Sequence, residues 1–447
     1  MSQRAWEKLL SPRRIRLAED GTVTWAEAAA TDRTAYEIDY DRIVFSSPFR
    51  RLARKTQVHP FSEVDHVHNR LTHSLEVSAV CQTLAREAGA FLVARGELPP
   101  ERVSDLIWTV QAAGLAHDIG NPPYGHSGEA AIQAWTEKMG GDLGDDPVWR
   151  DFRYFDGNAQ TFRMMSRPDL REMSYFRLTA ATLGALVKYP RRVTELPADY
   201  RGPTKLAAFT TEDEIFHRVW EELGLIGTDG TCHRHPLSYL SEAADDICYR
   251  IADFEDAVLM GIFPYDVVSS IFLKVLPEEE RAVNEKAPIQ QLRARAIGRL
   301  IRSFSEKFKE HYEEILSGTF AGDLRGTLTG PVKEALDEIQ QRYEILFSNH
   351  RKVIAEIGSY SQFSFILTSY YQFLNNRTAA GMPPYETLPG VQRQLVQLAW
   401  GRAYYERCRG ASLAWWAHAV LDFVVGMTDD YINTLFHRLG GVGLQNF

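Results

Sequence analysis

Apolar residues recur at helical spacing along most of this chain of 447 residues, and this periodicity constrains the fold most. From Val77 onward they follow the i, i+3, i+4, i+7 pattern of a helix that packs one face on a core. Gly96 and the proline pair at 99–100 predict where that helix ends. A second helix is expected to begin near Ser104 and Asp105 and to run to about residue 117. We therefore expect a mostly helical, all-α fold.

The remaining pattern predicts more helices and few strands. Further helices are expected over residues 128–138, 175–188, 212–223, 236–260, 288–316, 331–357, 388–407 and 412–439. Short strand signals lie at residues 42–45 and 56–59. With no internal repeat and no long linker, we expect residues 1–285 to form the core. Residues 286–447 are expected to form a C-terminal helical region, packed on that core or continuous with it.

Composition excludes several classes of protein. The chain has 50 Lys and Arg against 59 Asp and Glu, a net charge of -9, which argues against extended coating of nucleic acid. Its 4 cysteines form no CxxC pair, so we expect neither a disulfide scaffold nor a thiolate zinc site. The N-terminus has no apolar core of a signal peptide, and the longest apolar stretch, 413–427, is too short for a bilayer. We expect a soluble cytoplasmic protein without membrane contact.

The most informative string is HDIGNPPYGHSGE, residues 117–129. Its first two residues, His117 and Asp118, are metal-ligand types at the predicted end of a buried helix. Such a pair in isolation is more often a surface feature, so its context matters. His73 lies one helical turn before Val77 and therefore on the same buried face, where it is a second candidate ligand or a core histidine.

A third segment carries acidic residues on a helical stripe. Asp245, Tyr249 and Asp253 are spaced at i, i+4 and i+8 in a segment rich in Ala and Ile. Carboxylates on such a face are costly unless a cation or donors meet them. Asp246 points away from that stripe. A mixed set of imidazoles and carboxylates suits one divalent ion, Mg, Mn, Co, Ni, Fe or Zn, although spacing alone does not establish convergence. The candidate ligands are His73, His117, Asp118 and Asp245.

The order of these ligands resembles the H…HD…D signature of the HD-domain metal-dependent phosphohydrolases. Within that superfamily the chain resembles the deoxyguanosine triphosphate triphosphohydrolase (dGTPase) family over most of its length. The strings that carry this resemblance are SSPFRRLARKTQVH, NRLTHSLEV, AHDIGNPPYGHSGE, FDGNAQTFR, ALVKYPR, EAADDICYRIADFEDA and VVGMTDDYI, at residues 46–59, 69–77, 116–129, 155–163, 185–191, 242–257 and 424–432.

The resemblance implies an HD-domain catalytic core over residues 1–285 with additional C-terminal helices. It implies metal-dependent hydrolysis of deoxynucleoside triphosphates at the α-phosphate, which releases deoxynucleoside and tripolyphosphate, with dGTP among the substrates. Family members are homo-oligomers, often hexamers, and some respond to a regulatory nucleotide or single-stranded DNA.

The resemblance also implies a catalytic pair, His126 and Glu129. If Ser127 caps the following helix, His126 lies in a loop facing the site, and Glu129 orients its other ring nitrogen. Whether His126 activates water or protonates the departing 5′-oxygen stays open.

The triphosphate demands local cations, and the resemblance places Arg70 and Lys188 against the phosphates. Asp253 and Gln57 are expected to hydrogen-bond the 3′-hydroxyl, while the Tyr249 ring packs where a 2′-hydroxyl would lie. Asn158 and Tyr189 complete the expected pocket.

Two other functions remain open at this point. One is an HD-type phosphomonoesterase or phosphodiesterase, and the other is a catalytically silent protein that binds nucleotide or DNA. Two-metal HD phosphodiesterases need more histidines than the chain offers in that pattern. Among the histidines outside the candidate site, His233 and His235 are expected to be surface residues because they lie in a polar loop.

Overall fold

The computed structural model describes residues 2–17, 22–27, 32–57, 67–144, 146–167, 176–197, 200, 202, 205–347 and 350–440. Within these ranges the chain is mostly α-helical, as the sequence predicts, and its paired strands form one small antiparallel hairpin. The hairpin joins β1 (Arg14–Leu17) to β2 (Val23–Ala26), with Ile15 opposite Trp25. No helix within the described ranges is long and apolar enough to cross a membrane.

Within the described ranges the chain forms 21 α-helices. The first eleven are α1 (Ser2–Leu9), α2 (Ala35–Val44), α3 (Ser47–Arg51), α4 (Arg70–Ala94), α5 (Val103–Ala116), α6 (His126–Met139), α7 (Val148–Arg153), α8 (Gly157–Ser166), α9 (Ala180–Leu186), α10 (Asp213–Leu223) and α11 (Pro236–Leu259). The others are α12 (Tyr265–Val275), α13 (Glu278–Asn284), α14 (Ile289–Glu310), α15 (Tyr312–Ser317), α16 (Gly330–Phe347), α17 (His350–Leu374), α18 (Gly390–Ala399), α19 (Arg402–Cys408), α20 (Leu413–Val425) and α21 (Asp429–Leu439).

The chain divides into two compact units, and each unit is discontinuous in sequence. The first comprises Met1–His117, Arg177–Pro190 and His217–Val353. The second comprises Asp118–Phe176, Arg191–Phe216 and Ile354–Phe447. A catalytic core over residues 1–285 with a separate helical region over 286–447 stays a prediction.

Helix α4 supports the first unit and begins with a reciprocal cap. The Asn69 side chain accepts a hydrogen bond from the Thr72 amide at 3.0 Å, and the Thr72 hydroxyl accepts one from the Asn69 amide at 3.1 Å. The helix packs on α5 at close range, because a β-carbon on Gly114 would lie 2.7 Å from the Cys81 sulfur. This packing brings the first turn of α4 towards the end of α5.

The second unit has an aromatic core. Buried side chains from the later helices, among them Phe373, Tyr405 and Trp416, pack against each other and against residues of α6 and α7. The ring centroids of Tyr405 and Trp416 are 5.5 Å apart. Such burial contributes most of the stabilisation available to a helical unit.

The predicted strand at residues 42–45 is wrong, because those residues complete α2 and its C-terminal cap. The Thr34 hydroxyl caps α2 by accepting from the Glu37 amide at 3.2 Å, and Ile43 is buried on its inner face. Of the strand predicted at 56–59, Thr56 forms an isolated bridge with Asn69, while residues 58–59 lie outside the described ranges.

The predicted C-terminal helices exist but are divided. The segments expected at 288–316, 388–407 and 412–439 each contain two helices, and the segment expected at 331–357 covers α16 and the first part of α17. Gly401, with φ of +80°, separates α18 from α19 because this backbone conformation suits glycine and ends a helix. The helix expected at 175–188 is shorter, Ala180–Leu186, and its predicted first residue lies outside the described part of the chain.

Candidate metal centre and catalytic pair

Three candidate metal ligands meet in the first unit, each from a different helix. His73 lies in the first turn of α4, His117 caps the end of α5, and Asp245 lies on α11. Oδ1 of Asp245 is 3.1 Å from Nε2 of His73 and 3.4 Å from Nε2 of His117. One ligand atom from each residue lies within 4.8 Å of the others. The donors therefore surround a common point.

The tautomer of His117 is set by a backbone contact. Its Nδ1 lies 2.7 Å from the carbonyl oxygen of Gly114, and a carbonyl only accepts, so Nδ1 carries the hydrogen. In the neutral ring, Nε2 then presents its lone pair towards the Asp245 carboxylate. Two electron-rich groups in this arrangement need a cation between them, so the donor set fits one divalent metal ion with mixed nitrogen and oxygen ligands.

Lys188 also meets Asp245, from the turn after α9. Its Nζ lies 2.5 Å from Oδ2 of Asp245. Burial is the largest influence on the pKa of Asp245 and raises it, but the positive charge of Lys188, the largest of the opposing influences, lowers it. The pKa therefore lies well below its ordinary value. Burial lowers the pKa of Lys188, but the negative charges of Asp245 and Glu242 raise it by a larger amount. The net shift in the pKa of Lys188 is therefore upward, and both Lys188 and Asp245 are charged.

Asp118, the fourth predicted ligand, is the first residue of the second unit. It is buried, and its carboxylate accepts a hydrogen bond from the side-chain amide of Asn121. Its role as a ligand stays a prediction.

Tyr249 and Asp253 lie on α11, and both contact a residue of another helix that the sequence did not predict. Tyr343 of α16 stacks on the Tyr249 ring, with centroids 4.9 Å apart and an interplanar angle of 7°. The Tyr343 hydroxyl donates to Oδ2 of Asp253 at 3.2 Å. Tyr343 follows Ile339 and Leu336 at helical spacing, so its sequence signal is that of a core residue, and nothing in the pattern pairs it with Asp253.

The other predicted substrate-binding residues are distributed over both units. Arg70 is buried as the first residue of α4, and Gln57 is half-buried in the first unit. Tyr189 is 38% exposed, and its hydroxyl is 3.5 Å from Glu242. Asn158 belongs to the second unit, where its side-chain amide donates to the Asp156 carboxylate at 2.8 Å.

The second unit holds the predicted catalytic pair. Nδ1 of His126 lies 2.9 Å from Oε2 of Glu129, and the His126 side chain is 86% exposed while that of Glu129 is 10% exposed. The expected Ser127 cap is wrong: His126 itself opens α6, and the preceding Gly125 has φ of +56°. Only a glycine adopts this conformation at little cost, so the helix begins at His126, two residues earlier than a Ser127 cap would allow.

The Glu129 carboxylate is ionised despite its burial. Burial raises its pKa, but the hydrogen bond from His126, the charge of Lys205 and the amide of Gly157 together lower it below the ordinary value. The Gly157 amide donates to Oε1 at 2.7 Å. An ionised carboxylate accepts from Nδ1–H of His126 and leaves Nε2 free for proton transfer.

His235 contradicts the prediction that it is a surface residue. It is fully buried as the cap of α11, where Nδ1 accepts from the Leu237 amide at 3.1 Å and Nε2 lies 3.0 Å from the Leu9 carbonyl oxygen. Burial lowers its pKa to about 4. The residues next to His235 in the sequence are polar and typical of a surface loop, so the sequence did not predict this structural role.

The chain is similar in sequence to known proteins. The HD domain family model matches residues 70–146. A protein of Pseudomonas aeruginosa named deoxyguanosinetriphosphate triphosphohydrolase-like protein is 36% identical over 430 residues, which cover 92% of this chain and 94% of the relative. A Synechocystis protein with the same name is 34% identical over 98% of this chain and 100% of its own length.

The name of a third relative lacks the ending "-like protein". The deoxyguanosinetriphosphate triphosphohydrolase of Yersinia pestis is 31% identical over 342 residues, 64% of this chain and 66% of the relative. The aligned lengths and identities of the first two relatives place this chain in their family. With its helical fold, its HD-domain match and these relatives, the chain belongs to the deoxyguanosinetriphosphate triphosphohydrolase-like family of HD-domain proteins.

Proposed function

We propose that this protein is a metal-dependent deoxynucleoside triphosphate triphosphohydrolase with dGTP among its substrates. Water attacks the α-phosphorus, the bond to the 5′-oxygen breaks, and deoxynucleoside and tripolyphosphate leave. The observation that carries the proposal is the convergence of His73, His117 and Asp245 on one point. The family name of the relatives supports the choice of substrate class.

The residues assigned to the metal are His73, His117, Asp118 and Asp245. A divalent ion held there would lower the pKa of a bound water and polarise a phosphate oxygen. The Gly114 carbonyl keeps His117 in the tautomer that ligation requires. Lys188 is charged and adjoins the Asp245 carboxylate, which suits contact with a phosphate oxygen. Arg70 is assigned to the phosphates by resemblance.

His126 and Glu129 are assigned to proton transfer. Glu129 accepts from Nδ1–H, so Nε2 of His126 can take a proton from water or deliver one to the departing 5′-oxygen. Both directions agree with the exposure of the His126 ring. The family resemblance implies that His126 and Glu129 act in the same reaction as the metal ligands.

Selection of the deoxyribose is assigned to α11 and its partners. Asp253 and Gln57 would bind the 3′-hydroxyl, and Tyr249 would exclude a 2′-hydroxyl by steric contact. Tyr343 would hold both of these α11 side chains in place, because its ring stacks on Tyr249 and its hydroxyl donates to Asp253. Asn158 and Tyr189 are assigned to the pocket by resemblance.

The resemblance supports further proposals about the protein in solution. We expect a cytoplasmic homo-oligomer, a hexamer by family precedent, that responds to a regulatory nucleotide or to single-stranded DNA.

The metal mechanism is tested with an Asp118→Ala variant. We expect this variant to lose hydrolysis of dGTP by at least about 1,000-fold in the presence of Mn²⁺, because Asp118 would help to hold an ion that would activate water and stabilise charge. Asp337→Ala, which removes from α16 a half-exposed carboxylate paired with Lys333, is the matched control and should keep full activity. Retained hydrolysis in metal-loaded Asp118→Ala would overturn the mechanism.

A further inference from the structure

Both oxygens of the Glu129 carboxylate are held by different parts of the second unit. Oε2 meets Nδ1 of His126 at 2.9 Å, and Oε1 accepts from the amide of Gly157 at 2.7 Å. Gly157 is the first residue of α8, and Asp156 caps this helix by accepting from the Asn158 amide. The carboxylate therefore joins the start of α6 to the start of α8.

The position of Gly157 leaves no room for a side chain. A β-carbon there would lie 2.9 Å from Oε1 of Glu129 and 2.3 Å from Oδ1 of Asn121. Neither oxygen can retreat freely, because Glu129 is buried and Asn121 donates to Asp118. A glycine is required here for close approach rather than for an unusual backbone angle.

A second glycine holds the loop after His117 and Asp118 against the same turn of α8. The Gly120 amide donates to the Thr161 hydroxyl at 2.9 Å, and that hydroxyl donates to the Gly157 carbonyl at 2.8 Å. A β-carbon on Gly120 would lie 2.4 Å from the Gly157 carbonyl oxygen. The first turn of α8 is thus fixed on both sides.

The start of a helix is also electrostatically suited to this contact. Its free amides and the helix dipole favour a negative charge, so Gly157 stabilises the ionised form of Glu129. An ionised Glu129 accepts only, which keeps the hydrogen of neutral His126 on Nδ1 and the lone pair on the exposed Nε2.

We propose that Gly157 is a positioning residue for His126, acting through Glu129. Its amide holds the carboxylate at the distance and in the ionised form that set the tautomer of His126. The contribution of this effect to turnover rests on the proposed function, whereas the tautomer does not.

The tautomer is measured first, because it needs no substrate. In protein labelled with ¹⁵N-histidine, the ring nitrogens of His126 are identified by their loss in His126→Gln. We expect the Nδ1–H tautomer in the wild type above pH 7.5 and a majority of the Nε2–H tautomer in Gly157→Ala. Gly141→Ala, a substitution into open space in the same unit, is the control and should match the wild type.

Kinetics then test whether the effect passes through Glu129. With dGTP and Mn²⁺ we expect Gly157→Ala to lower kcat about 10- to 100-fold, part of the 10²- to 10⁴-fold that general acid–base catalysis contributes, with KM within about twofold. In a Glu129→Ala background the same substitution should lower kcat by less than about threefold, because the partner of the amide is gone.

A third variant protects the test against misfolding of Gly157→Ala. Thr161→Val removes the hydroxyl that ties Gly120 to the first turn of α8 and should shift the tautomer in the same direction by a smaller amount. An unchanged tautomer in both folded variants would overturn the proposal. Equal losses of kcat with and without Glu129 would also overturn it. A wild type that does not hydrolyse dGTP would contradict the proposed function and leave the tautomer result standing.

Discussion

Nζ of Lys188 lies 2.5 Å from Oδ2 of Asp245, while the other oxygen of that carboxylate faces His73 at 3.1 Å. One half-buried carboxylate is therefore shared between a cation of the chain and the point on which the histidines converge. If the proposed function holds, Lys188 would limit the affinity for metal and at the same time provide a charge for phosphate.

Replacing Lys188 should separate these two effects. In Lys188→Met we expect Mn²⁺ to bind at least about tenfold more tightly, because a like charge about 4 Å away is worth as much as ~4 kcal/mol at an effective dielectric constant of 20. The KM for dGTP should rise over the same comparison. Titration calorimetry gives the first quantity and steady-state kinetics the second. Lys333→Met, an exposed substitution on α16, is the control, and weaker Mn²⁺ binding in Lys188→Met would contradict this interpretation.

Tyr343 should matter for the sugar although it is remote from Asp253 in sequence. Its hydroxyl donates to Asp253 at 3.2 Å, and a hydrogen bond to a charged group is worth about 1.5–3 kcal/mol. We expect Tyr343→Phe to lower kcat/KM for dGTP about tenfold and to narrow the preference for dGTP over GTP. Tyr249→Ala should narrow it further.

The matched control for that variant is Tyr239→Phe. This substitution also removes a buried hydroxyl of the first unit, one that donates to the Phe320 carbonyl at 3.3 Å. It should lower the melting temperature to a similar extent while leaving the dGTP to GTP ratio unchanged. If both variants changed the ratio equally, the effect would be one of stability.

The buried His235 predicts a loss of stability in acid. Its pKa is about 4 in the folded protein against 6.5 when unfolded, so between these values the unfolded chain binds more protons. The contribution of His235 to the free energy of unfolding therefore falls as pH drops from 6.5 towards 4, by about 3 kcal/mol in total. Urea titrations at several pH values measure it.

His235→Asn isolates this contribution, since asparagine caps a helix but does not titrate. We expect the variant to be less stable than the wild type at pH 7 and the difference to shrink by about 1 kcal/mol per unit below pH 6. Parallel stability curves for the two proteins would show that His235 does not cause the acid sensitivity.

The contact between Gly114 and Cys81 predicts a rescue. In Gly114→Ala the new β-carbon meets the Cys81 sulfur at 2.7 Å, so we expect a loss of about 1–3 kcal/mol in the free energy of unfolding. Adding Cys81→Ala should return most of this loss, because it removes the sulfur. Denaturant unfolding of the two single variants and the double variant gives the coupling, and strictly additive effects would contradict close packing at this position.

Most helices and the set of candidate ligands followed from the sequence, but the convergence of His73, His117 and Asp245 did not. Asp245 lies 172 residues from His73, and helical spacing carries no information at that separation. The family resemblance joined these residues, and the helices of the first unit bring them together. The contact of Tyr343 with Asp253 was not predicted either, because the two residues are far apart in sequence. The apolar pattern of α16 gives Tyr343 the signal of an ordinary core residue.

The errors came from local composition. The run RIVF at residues 42–45 has the β-branched residues of a strand, yet the Thr34 cap and the burial of Ile43 make it helical. His235 has polar neighbours that are typical of a loop, whereas its side chain is buried and both ring nitrogens form hydrogen bonds with backbone groups. In both cases packing outweighed the local signal.

The proposed function is tested most directly by product analysis. Purified protein is incubated with dGTP and Mn²⁺, with a parallel incubation without metal. Deoxyguanosine is quantified by reversed-phase chromatography with ultraviolet detection, and the phosphorus-containing products are separated by ion-exchange chromatography and identified by ³¹P NMR. We predict equal amounts of deoxyguanosine and intact tripolyphosphate, formed only with metal and absent in Asp245→Asn. Release of orthophosphate or pyrophosphate instead, or the absence of any turnover with each of the divalent metals tried, would contradict hydrolysis at the α-phosphate.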